Sequence, residues 1–308
     1  MAGPRTERAA EPIVRSRTVP LLAGYWSFGQ FWGVWVILVL EFQRHHGLSD
    51  GQLGFLYSLM SIVAIAAMIV GAPRLQRLPL RTSVPFSLGA LALGASALAI
   101  QPTWLLALSF PLAGLGNGLI DVYLNVAAQR EESRTRRPVL QWLHASYAFG
   151  GVTGAAIAGA LRTLDVDFRW GIAYSAVVLV LTAIWNLNAT AEPAAEGVAP
   201  TFSVSALRRH PALWMPALTV LFAFLVEGSM DIWSGLYLRE EIGASPAAAS
   251  AAFVAFAGSL CLGRLFAGKV LFGLGARRTI VIAGSGASIG GAIAVVSDAT
   301  IVVGPRSC

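Results

Sequence analysis

Charge is scarce in this chain. Only 12% of its 308 residues are Asp, Glu, Lys or Arg, half the share of roughly 25% typical of a soluble domain. That scarcity, with 56% hydrophobic residues and a mean hydropathy of +0.67, excludes an ordinary water-soluble globule. Cysteine is nearly missing as well. Cys261 lies inside an apolar run and Cys308 is the last residue, so there is neither a disulfide framework nor a cysteine metal set. No Walker A loop, no His-Glu-x-x-His run and no Gly-x-Ser-x-Gly elbow in a suitable context occurs. The stretch from Gly284 to Gly290 resembles a dinucleotide loop only faintly. No strand precedes it, so helix packing explains it better. His45 and His46 are adjacent and point apart on a helix, and no third ligand accompanies them. The formal charge is +6, but aromatics do not interleave with the basic residues as they do in nucleic-acid binders. These absences call for no cofactor, no metal, no nucleic acid and no obligate protein partner, and they speak against an enzyme.

What is present is a series of long apolar runs. A membrane span needs about 20 mostly apolar residues. Nine runs qualify, at 19–40, 51–72, 83–100, 104–128, 140–161, 170–187, 212–236, 247–267 and 279–296. The expected fold class is therefore an all-α polytopic membrane protein. Sixteen of the 22 basic residues fall on alternate segments that include the N-terminus, and five on the intervening ones. The positive-inside rule then puts the N-terminus in the cytoplasm. The first apolar run is too long for a cleaved signal peptide and reads as a spanning helix.

The stretch 188–211 is rich in Ala, Glu and Pro and divides the chain. The expected organisation is a cytoplasmic tail at 1–18, a six-helix bundle at 19–187, a cytoplasmic linker at 188–211 and a partial second bundle at 212–308. Gly71 and Gly263 each end a span ahead of a short basic loop, a weak repeat of the kind found in transporters.

Several polar residues interrupt the apolar runs. Asp121 lies in the fourth, with Asn117 and Asn125 four residues to either side, so all three share one helical stripe. A carboxylate at the centre of a span costs on the order of 2.5–3.5 kcal/mol on insertion scales and normally faces a partner or a water-filled path. For the two asparagines the choice is open between a solute path and an interhelical hydrogen-bond stripe, packed through Gly114, Gly116 and Gly118. His144 and Tyr147 share a face of the fifth run, ahead of a Gly150-x-x-x-Gly154 seam. His144 suits either proton coupling or a simple hydrogen bond near the cytoplasmic end. Glu227 and Asp231 stand four apart in the seventh run. They could bind a cation or share a proton, although Asp231 could instead be hydrated near the outer mouth. Glu41, at the outer end of the first run, reads as interfacial. Trp32, Trp35, Tyr123, Trp142 and Tyr147 suit a sugar face, helix packing or an interfacial belt equally.

Four blocks carry a family resemblance. They are Trp32-Gly-Val-Trp-Val with Gly47-Leu-Ser-Asp-Gly-Gln-Leu-Gly54; Gly114-Leu-Gly-Asn-Gly-Leu-Ile-Asp-Val-Tyr-Leu-Asn125; His144 with the glycines after it; and Glu227-Gly-Ser-Met-Asp-Ile-Trp-Ser-Gly-Leu-Tyr-Leu238 with Gly263-Arg-Leu. The chain resembles the major facilitator superfamily, in the branch around fucose permease. The resemblance implies a two-bundle secondary transporter with alternating access. It would be a proton-coupled symporter of a small solute, sugar-like or another small polar metabolite, in the inner or plasma membrane. Its partners would be that solute, protons and the lipid bilayer. Asp121, Asn125, Asn117, His144, Glu227 and Asp231 are the expected substrate or proton site. Arg77, Arg81, Arg264 and Arg277 are the expected gating and cytoplasmic-loop residues.

The sequence departs from the family pattern in three places. No carboxylate stands midway along the first helix. Leu75, Gln76 and Pro79 occupy a loop that usually carries Asp and Gly. About nine of twelve helices are present, which reads as a chain truncated in its second bundle. The alternative readings are a non-transporting sensor or binding protein on the same fold, and an inactive transporter fragment.

Overall fold

The computed structural model describes residues 11–71, 78–100, 102–189 and 209–296. Nine long helices are present among them. They are α1 (Glu11–His46), α2 (Asp50–Ala66, prolonged by a π-turn at Ala67–Gly71), α3 (Leu80–Ile100), α4 (Leu106–Thr135), α5 (Val139–Thr163), α6 (Phe168–Ala189), α7 (Trp214–Glu240), α8 (Pro246–Leu274) and α9 (Ala276–Val296). Each expected span coincides with one helix. Seven of the helical segments are long and apolar enough to cross a bilayer. α5 is diluted by glycine and polar residues. The chain is an all-α polytopic membrane protein.

Local chemistry sets the boundaries. Ser49 caps α2 in a reciprocal box with Gln52, which satisfies two of the amide groups that a helix start leaves unpaired. Ser245 accepts from the Ala248 amide at the start of α8, with Pro246 at the first helical position, where its missing N–H costs nothing. Arg136 adopts a left-handed conformation and ends α4. Several helices outrun their apolar stretches. α1, at 36 residues, is about 54 Å long at 1.5 Å per residue, well beyond a hydrocarbon core of about 30 Å.

α1 is the hub. Every residue of 27–40 is buried, as expected of a helix that is apolar all round. It packs most extensively on α5 and also on α6, α7 and α4. The α1–α5 contact is a reciprocal glycine seam. A Cβ on Gly29 or Gly33 would strike the Tyr147 or Gly151 carbonyl, and one on Gly150 or Gly154 would strike the Trp26 or Gln30 carbonyl. Small residues let two backbones meet, which is how helices associate where lipid removes the hydrophobic drive. α4 uses glycine in the same way, with Gly114 and Gly118 against α2 and Gly116 against α3. The glycines beside Asp121 thus serve helix packing.

Helices α1–α6 form one interlocked group. α7 joins it through α1, and α8 through α5. α9 packs lightly on α8, and its described residues are almost all exposed. Arg77, the loop residues Leu75 and Gln76, positions 190–208 of the expected linker and everything after 296 lie outside the described residues.

Candidate functional site

A cavity of about 440 Å³ lies between α1, α2, α4 and α5 on one side and α7 and α8 on the other. That volume falls within the range of small-molecule sites, roughly 300–1,000 Å³. Asn117, Asp121, Asn125, His144, Glu227 and Asp231 all line it. The structure therefore brings together six residues that the sequence scatters over three helices.

The α4 stripe faces α1. The Tyr25 hydroxyl donates to Asp121 Oδ1 at 2.6 Å. Asn125 Nδ2 donates to the same oxygen at 3.0 Å and to the Asp121 carbonyl at 2.7 Å. Trp32 Nε1 donates to Asn117 Oδ1 at 3.1 Å. Asp121 is thus held by neutral donors. The Tyr25 ring packs 5.4 Å from both His144 and Tyr147, and Phe28 packs 5.3 Å from Tyr147. Together these rings form an aromatic wall with α1 at its centre.

Across the cavity, Arg264 Nη2 donates to both carboxylate oxygens of Glu227, at 2.7 and 3.0 Å. Arg264 Nη1 reaches the His144 carbonyl at 3.3 Å. Opposite unit charges about 4 Å apart interact by roughly 4 kcal/mol at an effective dielectric constant of 20, enough to offset much of the cost of placing both in a span. Asp231, one turn beyond Glu227, lies within electrostatic range of Glu227 and Arg264, with the Tyr147 hydroxyl as its hydrogen-bonding neighbour. It lines the cavity, so the alternative that placed it near the outer mouth does not hold.

Two further expectations need correction. Arg264 is not a residue of the cytoplasmic loop. α8 continues ten residues past it to Leu274, and its guanidinium is in the cavity, drawn there by Glu227. Glu41 is not a solvated interfacial residue. It accepts from Arg162 of α5 at 3.2 Å and from Arg239 of α7, in a cluster whose side chains are only 12–20% exposed.

Arg81 and Arg277 are exposed, at the starts of α3 and α9, away from the cavity. Of the aromatics singled out in the sequence, Trp32 and Tyr147 line the site. Trp35 is buried and donates to the Tyr57 hydroxyl at 2.7 Å. Tyr123 is buried, Trp142 packs against the core, and neither lines the cavity. Sequence reasoning missed Tyr25 and Phe28. Their spacing to Trp32, at i, i+3 and i+7, is the signal that could have found them.

The ends of the cavity differ. At the Glu41 end, a Cβ on Gly235 of α7 would overlap the Val36 carbonyl of α1, and Trp233 packs 5.9 Å from Tyr57 of α2. Ser250 of α8 donates to the Ala155 carbonyl of α5 at 2.7 Å. At the other end, residues 214–226 of α7 and most of 262–274 of α8 are exposed. α8 stays on α5 from Ser250–Ala155 to Arg264–His144, so the difference between the ends lies in the backbone contact of α7 on α1 at Gly235.

The family model for the Major Facilitator Superfamily matches residues 21–304. An uncharacterized MFS-type transporter of Yersinia pestis is 28% identical over 297 residues, covering 94% of this chain and 75% of that protein. An uncharacterized transporter of Sinorhizobium fredii is 26% identical over 281 residues, covering 87% of this chain and 71% of that protein. No solved structure matches the chain. With nine long helices among the described residues, a polar cavity between its helix groups and a family match over nearly its whole length, the chain belongs to the Major Facilitator Superfamily of membrane transporters.

Proposed function

We propose that this protein is a proton-coupled secondary transporter of a small solute, working by alternating access in the inner or plasma membrane with its N-terminus in the cytoplasm. The motif blocks around Asp121 and Glu227 favour the fucose-permease-like branch. In this reading α1–α6 form one rigid group that rocks against the group containing α7 and α8. The observation that carries it is the cavity itself. Asp121, Asp231 and the Glu227–Arg264 pair meet around it at mid-helix, and ionisable groups inside a membrane normally mark a substrate or ion path.

The basic-residue asymmetry puts the closed, Glu41-bearing end outside. Asp121 is the leading proton or substrate carboxylate. Asn117, Asn125 and His144 complete its side of the path, and Glu227 and Asp231 complete the other.

The test is solute uptake into proteoliposomes under an imposed proton gradient. Asp121→Asn is expected to abolish gradient-driven uptake while leaving the purified protein monodisperse. Wild-type uptake rates in that variant would remove Asp121 from the mechanism.

A further inference from the structure

The cavity has an unbalanced charge inventory. Three carboxylates line it, Asp121, Glu227 and Asp231, against one guanidinium, Arg264. Arg264 places its two hydrogen bonds to carboxylate on Glu227. Asp121 is held by a phenol and an amide, neither charged. Asp231 has Arg264 within electrostatic range, but the guanidinium places its bonds on Glu227 and the His144 carbonyl. Two formal negative charges therefore face the cavity without a cation bonded to them among the described residues.

The donors that reach the cavity from Tyr25, Trp32 and Asn125 are already spent on Asp121 and Asn117. Ser61, Asn117 Nδ2, His144 and Tyr147 keep further hydrogen-bonding capacity there, so the charge inventory sets the preference. An anion would meet net repulsion. The walls are an independent observation. The rings of Tyr25, Phe28, Trp32 and Tyr147 line the cavity, and aromatic faces attract cations.

We propose that the solute of this cavity is an organic cation, an amine or quaternary ammonium on an apolar body, with its charge between Asp121 and Asp231 and its body against the α1 aromatics. This rests on the transport reading only in making the bound cation a cargo.

The test is direct binding to the purified full-length chain in nanodiscs, by calorimetry. The probes are tetraphenylphosphonium and benzyltrimethylammonium, the neutral triphenylphosphine oxide, the anion tetraphenylborate and a neutral hexose. At least one cation is expected to bind tenfold or more tighter than the neutral probes, with tetraphenylborate failing to compete. Asp121→Asn and Asp231→Asn should each weaken cation binding at least tenfold and leave neutral binding unchanged, with size-exclusion profiles matching the wild type. Equal or tighter binding of the neutral probes, no cation binding at millimolar concentration, or cation affinity unchanged in both variants would overturn the proposal. The wild-type comparison stands even if a variant fails to fold. Cation binding without flux into proteoliposomes would sink the transport reading and leave this one. Proton-driven flux of the hexose without cation binding would do the reverse.

Discussion

Arg239 of α7 donates to Glu41 of α1, one helical turn beyond the point where Gly235 lies against the Val36 carbonyl. Arg162 of α5 donates to the same carboxylate oxygen at 3.2 Å. A half-buried triad thus joins the α1–α6 group to α7 at the closed end of the cavity. Arg44 and Glu240, 3.5 Å apart and more exposed, add little, because exposed ion pairs contribute about 0–1 kcal/mol.

Breaking this triad should bias the conformational equilibrium. Glu41→Gln leaves two guanidiniums facing a neutral amide and is expected to raise the accessibility of the closed end. Thiol labelling of a cysteine placed at Gly54, which faces Trp233, would report it as severalfold faster modification. An unchanged labelling rate would mean that glycine packing alone holds this end shut.

The glycine seam should be intolerant of side chains. Gly150→Val or Gly154→Val forces α5 away from the α1 backbone, and either is expected to lower the thermal midpoint strongly or prevent recovery of monodisperse protein. Gly89→Ala is the control, since a Cβ there meets nothing within 4 Å. It should be neutral or slightly stabilising, by up to about 1 kcal/mol, because alanine favours a helix over glycine. Fluorescence-detected size exclusion on heated samples distinguishes the two cases.

Glu227 and Arg264 should behave as a unit. Arg264→Ala strands a carboxylate in the cavity, and removing one partner of a buried pair typically costs about 3–5 kcal/mol. Partial exposure of these side chains, 23% and 20%, puts the expected loss at or below the lower end. The double variant Glu227→Gln, Arg264→Gln should be more stable than Arg264→Ala alone. A double-mutant cycle in thermal stability reads the coupling directly, and additive effects would show that the pair is energetically idle.

Acid should leave the loop between α5 and α6 intact. Arg169, bonded to Asp167 at 2.8–2.9 Å, holds that carboxyl down at about 2. A depressed carboxyl contributes stability above its unfolded value, near 3.9, and loses it as pH falls through about 2. Asp167→Asn is therefore expected to leave the pH dependence of stability between pH 5 and 8 unchanged. The pair is also exposed, so the shift in thermal midpoint should be small at any pH in that range.

The residues differ in how far the sequence disclosed them. The nine helices were legible because lipid demands long apolar runs, and the α4 stripe because four-residue spacing fixes a helix face. The Gly150–Gly154 seam was legible for the same reason, but its partner Gly29–Gly33 was not singled out, since one strip of glycines does not name the helix it meets. Arg264 was misplaced because hydropathy cannot tell a charge near a span's end from one paired within it. Its partner lies 37 residues away in sequence. Glu41 was misread in the same way, as its two arginines come from α5 and α7. Tyr25 stayed hidden because an aromatic in an apolar run looks like packing until Asp121 is set opposite its hydroxyl.

The contact at Gly235 also sets a mechanical ratio. Trp214, at the other end of α7, lies 21 residues away, about 32 Å along the axis at 1.5 Å per residue. If the helix pivots where its backbone rests on Val36, a tilt of roughly 10° carries the far end about 5.5 Å, comparable to one helical pitch. Atoms at the pivot would hardly move. α7 is then a lever with its fulcrum at a glycine, and small changes at the triad are read out as ångström-scale travel at the opposite mouth.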